Sequence, residues 1–209
     1  MIPDIRNAHP QALIITPSSS ISRLLRGQLA VQRVSERSSV WESIQILSFG
    51  AWIKQLWLQA PMSADLRRPL LLNQAQELAV WQEIIDASPW SRVLMQTLSL
   101  ARNASQANRI LAEWHIPVTH LQKFTNDEAQ ALESWIKEFD RRCFKQVWLP
   151  VYRLADQLMV LPEKDVNFPA EIIVYGFDQL TNQQNAFLDH VTELGCKVQV
   201  VEPENRKAN

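Results

Sequence analysis

Apolar positions along the chain follow two habits: short continuous runs of strand length, and longer stretches in which they recur every three or four residues. Four runs are of the first kind. They are Gln11 to Ile15, Ile44 to Ser48, Ile172 to Tyr175, and Lys197 to Val201. Each is rich in β-branched or aromatic side chains and reads as a strand. The span Glu171 to Val201 is the clearest piece of organisation. A strand ends at Gly176, a helix follows through Ala186, Phe187, Val191 and Leu194 with Asp178 or Thr181 as its cap, Gly195 stops it, and a second strand follows. Strand, helix, strand is a crossover unit, and such units build parallel sheets covered by helices.

The helical habit fills most of the rest. Thr16-Pro17-Ser18-Ser19-Ser20 leads into a helix carrying Ile21, Leu24, Leu25 and Leu29. Phe49 to Leu58 places Phe49, Trp52, Ile53, Leu56 and Trp57 on one face, and Pro61 ends it. A helix is predicted over Leu71 to Trp90, through Leu78, Trp81, Ile84 and Ile85, with Asn73 as a cap and Pro89 as the break. Val93 to Trp114 follows, striped by Leu94, Leu98, Ala101, Ile110 and Leu111 and closed by Pro117. Asp127 to Trp148 is the best defined, with Leu132, Trp135, Ile136, Phe139, Cys143 and Val147 on one face and Asn126 or Asp127 as its cap. A short helix, Val151 to Val160, precedes a loop from Leu161 to Pro169. The expected architecture is an α/β fold with a mainly parallel sheet and an α-helical insertion subdomain: residues 1–60 and 161–209 form the core, and 61–160 the insertion.

At 209 residues the chain can bury about 70% of the surface its unfolded form exposes, enough for a core without disulfides. Two isolated cysteines, Cys143 and Cys196, read as small buried side chains in a reduced compartment. With no leader pattern and no long apolar run, the cytoplasm is expected and the membrane is not. The formal net charge of −1 argues against overall attraction to nucleic acid, but charge is unevenly placed. Arg23, Arg26, Arg33 and Arg37 face one acid, Glu36, between Ile21 and Val40, so a local basic face is compatible with the balance.

Catalytic chemistry is not evident. His9, His115, His120 and His190 have no metal-ligand spacing, and neither a nucleophile elbow nor a carboxylate-rich nuclease motif occurs. The loop after the first strand stands where a nucleotide-binding fold wraps phosphates, yet Thr16 to Ser22 has no glycine and no lysine. Ser18, Ser19 and Ser20 read as helix caps, with weak phosphate contact as the other reading. Asp178 stands where an NTPase keeps a magnesium-binding acid; without the loop, capping the next helix is the preferred role. No cofactor, metal or catalytic residue is expected. Eight tryptophans raise the idea of base stacking, but their helical spacing assigns most of them to core.

The stretches ALIITPSSSISRLLRGQL, IQILSFGAWIKQLW, LLNQAQELAVWQEII and IIVYGFDQLTNQQNAFLDHV, in that order, resemble the amino-terminal region of a bacterial family of probable DNA repair proteins. That family is similar to the AddB and RecC subunits of helicase-nuclease complexes. The resemblance implies a superfamily 1 helicase-like core with a degenerate P-loop, an added helical subdomain, and a PD-(D/E)XK nuclease domain far downstream of these residues. DNA and a partner subunit of such a complex are the partners it implies.

Three functions follow as expectations. One is a non-catalytic helicase-like domain that holds or routes DNA. Another is a scaffold that docks a partner subunit without touching DNA. An active nucleotide-binding enzyme is the third, and the loop chemistry argues against it. For DNA contact the candidates are Arg23 and Arg26 on the first helix and Arg141, Arg142 and Lys145 on the long one, because each lies off its helix's apolar stripe.

Overall fold

A computed structural model describes residues 12–35, 45–61, 68–92, 97–162 and 166–201. The chain divides into two compact units. One comprises Met1–Pro61, Leu158–Leu180 and Gln184–Asn209, and the other comprises Met62–Gln157 with Thr181–Gln183.

The first unit is built on a four-stranded, wholly parallel sheet. In chain order its strands are β1 (Leu13–Thr16), β2 (Gln45–Ser48), β5 (Glu171–Tyr175) and β6 (Lys197–Val201); in space the order is β2-β1-β5-β6. The α/β class and the parallel sheet expected from the runs are thus present, with Ile14 opposite both Ile46 and Ile173, and Val174 opposite Val200. The centre is β1, buried at every position, and β5 beside it is buried at all but Tyr175. Strands covered on both faces carry unbroken apolar runs rather than alternation, which is why these two stood out in the sequence. Edge strand β6 is largely exposed.

On one sheet face Ile14, Ile46 and Ile173 pack with Leu25 and Leu29 of α1 (Ser19–Ser35). Leu24, expected on that stripe, is exposed instead. Ser18 caps α1, its Oγ accepting from the Ile21 amide at 3.3 Å. Helix α2 (Phe49–Gln59), capped by Ser48, buries Phe49, Trp52, Ile53, Leu56 and Trp57 as their spacing predicted. Phe49, Trp52 and Phe187 of α7 (Asn182–Glu193) meet edge-on, with centroids 5.4 to 6.1 Å apart, a geometry that matches ring edges to ring faces. Gly195 (φ +91°) ends α7: the Cys196 amide reaches the Val191 carbonyl at 3.0 Å and the Gly195 amide reaches Thr192 at 2.9 Å, both in a left-handed terminus that favours glycine. Asp178 lies four residues before Asn182 and is exposed, so it does not cap α7.

The second unit is a helical body around α3 (Gln74–Asp86), α4 (Thr97–Glu113) and α5 (Asp127–Gln146). Trp81 and Phe139 stack at its heart, centroids 4.5 Å apart and planes 11° from parallel, among Ile84, Ile85, Trp135 and Ile136. The spacing on α3 and α5 is realised, and Asn73 forms a reciprocal capping box with Gln76 at 2.9 and 3.0 Å. Four expectations need correction. Leu70–Leu72 is a strand, β3, paired in parallel with β4 (Trp148–Pro150), so the helix predicted from Leu71 starts at Gln74 and α5 stops at Gln146 rather than Trp148. Val147 takes a left-handed conformation (φ 55°, ψ 48°) to turn the chain from helix to strand. On α4 the buried stripe is Ala101, Ala104 and Asn108, small or polar side chains that permit close helix approach, whereas Leu98 and Ile110 are exposed. After β4, a single 3-10 turn (Val151–Arg153) leads into α6 (Leu154–Met159), where one helix over Val151 to Val160 was expected.

Several expected features lie outside the described residues: Gln11, Ile44, Val93, Leu94, His9, Glu36, Arg37 and the side chain of Arg33. Among the described residues no helix is long and apolar enough to cross a membrane.

Candidate functional site

The loop that would wrap a nucleotide is closed on itself. Thr16 is fully buried, and its Oγ1 lies 2.7 Å from Ser22 Oγ and donates to the Ser18 carbonyl at 3.0 Å. Ser22 Oγ reaches the same carbonyl at 3.2 Å, and the Ser22 amide does so at 3.1 Å. The Thr16 and Ser22 hydroxyls are therefore partnered within the turn, which serves as a helix start, while Ser19 and Ser20 are exposed.

The candidates for DNA contact separate into two groups. Arg23 and Arg26 are exposed on α1, and the Arg26 Nη2 donates to the Ile46 carbonyl of β2. Arg141, Arg142 and Lys145 converge on the last turns of α5, where with Glu83, Gln146 and Trp148 they line an open groove of about 310 Å³. The helix supplies this convergence: residues three and four apart share a face, and the apolar stripe through Trp135, Phe139 and Cys143 keeps that face outward.

Glu138 organises the cations. Its Oε2 accepts from Arg141 Nε at 2.7 Å, and its Oε1 accepts from Arg141 Nη2 at 2.7 Å and from Arg142 Nε at 2.9 Å. These bonds, with Arg141's the largest contribution, hold the Glu138 carboxyl down to about 2, so it is ionised throughout the neutral range. Arg142 also reaches Glu83 of α3 at 3.1 Å and so clips the two helices together. Lys145 makes no ion pair with any described residue. One turn earlier Lys137 pairs with Glu133 at 2.6 Å. In both pairs the cation stands outermost: Lys137 is 64% exposed against 13% for Glu133, and Arg141 is 62% exposed against 32% for Glu138.

Two residues of this region were missed in the sequence. Trp148, half-buried in β4, forms one wall of the groove. Phe144 is 90% exposed on the outward face of α5. Its signal was legible: it follows buried Cys143 by one position, about 100° off the stripe, so an apolar side chain there has no core to enter.

A second polar cluster lies elsewhere in the same unit. Asn108, buried on α4, donates to the Tyr152 hydroxyl at 2.8 Å, and Gln183 donates to the Tyr152 carbonyl and to Asp156 at 2.9 and 2.7 Å. His115 Nε2 lies 3.0 Å from Asp156, and Arg153 Nη2 lies 2.7 Å from Asp140. Burial pushes the Tyr152 phenol above its usual range and the Cys143 thiol up to about 12. Most of these groups are hydrogen-bonded to one another, with Asp140 Oδ1 held by its ion pair to Arg153 rather than by a hydrogen bond, so the cluster reads as structural. Among the described residues no group of three His, Cys, Asp or Glu side chains could hold a metal.

No protein-family model matches the chain, and no curated protein matches it.

Proposed function

We propose that this chain is a non-catalytic, helicase-like domain of a DNA repair or recombination protein of AddB-like type, and that it holds DNA through the groove at the end of α5. The observation that carries the reading is the convergence of Arg141, Arg142 and Lys145 on one open groove beside an indole. Guanidinium groups match phosphate oxygens through paired donors, and a lysine without an internal partner adds a mobile charge. The self-closed turn at Thr16 to Ser22 supports a role without ATP hydrolysis. The helicase-like part of the reading rests on the sequence resemblance.

The second reading, a scaffold docking a partner subunit, is favoured by Glu138, which neutralises much of the charge that Arg141 and Arg142 bring. Titration of labelled duplex and single-stranded DNA at two salt concentrations separates the two. DNA contact predicts affinity that falls steeply with salt, and the Arg141→Ala/Lys145→Ala double variant flattens the logarithmic slope by about two units, one per lost phosphate contact. Arg142 is left in place because it ties α5 to α3. If the wild-type chain binds no DNA at low salt, the scaffold reading replaces this one.

A further inference from the structure

Strand β6 ends the parallel sheet, and among the described residues no strand lies beyond it. Its backbone orientation is set by β5: the Lys197 amide donates to the Ala170 carbonyl at 3.0 Å, in a register that places Glu171 opposite Lys197 and Ile173 opposite Gln199. Successive residues of a strand direct their N–H and C=O groups to opposite edges, so Lys197, Gln199 and Val201 bond inward, and Val198 and Val200 offer theirs outward. Edge strands are usually guarded by a charge, a proline or a bulge. Here the one charged side chain, Lys197, is tied to Glu171 at 2.7 Å, the pairing with β5 runs unbroken from Lys197 to Val201, and Val200 is 60% exposed. At the opposite edge of the sheet the Ile46 carbonyl of β2 is taken by Arg26.

We infer that the outer edge of β6 pairs antiparallel with β6 of a second copy of this chain, about a two-fold axis through Gln199. Self-complementarity selects that occupant. Around Gln199 the strand reads Lys-Val-Gln-Val-Val, so an antiparallel pairing centred there sets Val198 of each copy opposite Val200 of the other. These are the residues whose main-chain groups point outward, and each opposed pair exchanges both of its N–H···O bonds. A slip of one residue would set an outward-bonding residue against an inward-bonding one and forfeit those bonds. Val198 and Val200 project from one face of the sheet, so the same register gathers the valines of both copies into one patch and covers the exposed Val200. Lys197 falls opposite Val201 of the second copy, so no like charges meet across the axis. An isologous pairing of this kind closes after two copies. Its strands bring 5 residues from each copy, fewer than the roughly 20–30 a side of a standard interface, so the association is weak and depends on concentration.

The experiment is sedimentation velocity of the whole chain, without nucleic acid, from about 1 μM to 1 mM, the range of weak association. Wild type is compared with Val200→Pro and Val200→Lys, and Gln199→Cys and Val200→Cys are oxidised with diamide beside the wild type. The expected result is that wild type moves from monomer to dimer as concentration rises. V200P removes an outward N–H and leaves the inward bonds to β5, and V200K sets a charge in the valine patch; each weakens association about tenfold or more. Circular dichroism checks that both variants fold, and if V200P does not, V200K carries the comparison. In the inferred register the two copies of residue 199 form a non-hydrogen-bonded pair with Cα atoms about 4.5 Å apart, within the roughly 4.4–6.8 Å that a disulfide spans. Q199C therefore cross-links into dimers, whereas V200C, opposite Val198, does not exceed the wild-type background. A wild type that stays monomeric, with no Q199C cross-link, leaves the edge to a different partner and overturns the inference. A dimer that V200K leaves intact overturns it too, as does a V200C cross-link equal to that of Q199C.

Discussion

Glu138 and Arg141, one turn apart on α5, are joined by two parallel hydrogen bonds, Nε to Oε2 and Nη2 to Oε1, each 2.7 Å long. A bidentate pair holds the guanidinium in one orientation, but it also offsets the charge a phosphate would use. Replacing Glu138 by Gln removes that competition and releases Arg142 Nε as well. The expected outcome is a several-fold gain in DNA affinity, with the logarithmic salt slope steeper by on the order of one unit. Unchanged or weaker binding by E138Q at low salt would mean that the carboxylate orients the cations more than it masks them. The same variant reports on acid stability. The folded Glu138 carboxyl titrates at about 2, below its ordinary value of 4.5, so its contribution is present above pH 4.5 and is lost as pH falls from there towards 2. E138Q should show a shallower loss over that window in acid-titrated denaturation.

The Thr16 and Ser22 hydroxyls, clustered on the Ser18 carbonyl, bear on nucleotides. Positioning β and γ phosphates takes close backbone approach, a lysine and a hydroxyl that is available to magnesium. Here the Thr16 and Ser22 hydroxyls bond each other and the Ser18 carbonyl, and the turn from Thr16 to Ser22 holds no glycine or lysine. Calorimetric titration with magnesium ATP is therefore expected to give no heat of binding. Micromolar affinity would overturn this and would make exposed Asp178 a metal-site candidate.

Legibility in the sequence followed burial. Strands β1 and β5, covered on both faces, carry unbroken apolar runs, and helices α2 and α5 each carry a full apolar stripe on one side, signals that no neighbour can disguise. The three-residue strands β3 and β4 were missed because Leu70–Leu72 and Trp148–Pro150 adjoin helices whose periodicity they happen to extend. On α4 the stripe of Ala101, Ala104 and Asn108 was hidden behind larger residues that face solvent. At the groove, the basic residues were readable as off-stripe positions. Their carboxylate partner on α3, Glu83, lies 59 positions from Arg142, and nothing local announces such a pair.

Val147 marks the boundary the sequence concealed. A β-branched side chain at φ 55° is strained, and the left-handed region costs a non-glycine residue about 1–2 kcal/mol. Glycine relieves that cost but adds unfolded-state entropy worth about 0.5–1 kcal/mol. Val147→Gly is thus expected to raise stability by about 0.5 kcal/mol in urea unfolding, with an unchanged slope. A loss of more than about 1 kcal/mol would show that the half-buried Val147 side chain contributes packing that outweighs its strain.

Glu77 gives the last prediction. It is buried on α3, where it accepts a 2.7 Å hydrogen bond from Ser105 of α4 and feels the more distant charges of Arg109 and Arg153. Burial raises its carboxyl above the ordinary 4.5, and the Ser105 bond, with smaller help from the cations, only partly offsets this. A folded value above the unfolded one means that the native state holds the proton longer. Stability is then fully present below pH 4.5 and declines as pH rises through the raised value, with a limiting slope of about 1.4 kcal/mol per pH unit for a single group. Glu77→Gln stays neutral, and its amide oxygen can still accept from Ser105. The difference in unfolding free energy between E77Q and wild type should therefore be constant in acid and shift in favour of E77Q as pH rises to 7. A difference that does not change with pH would mean that Glu77 titrates alike in the folded and unfolded chains.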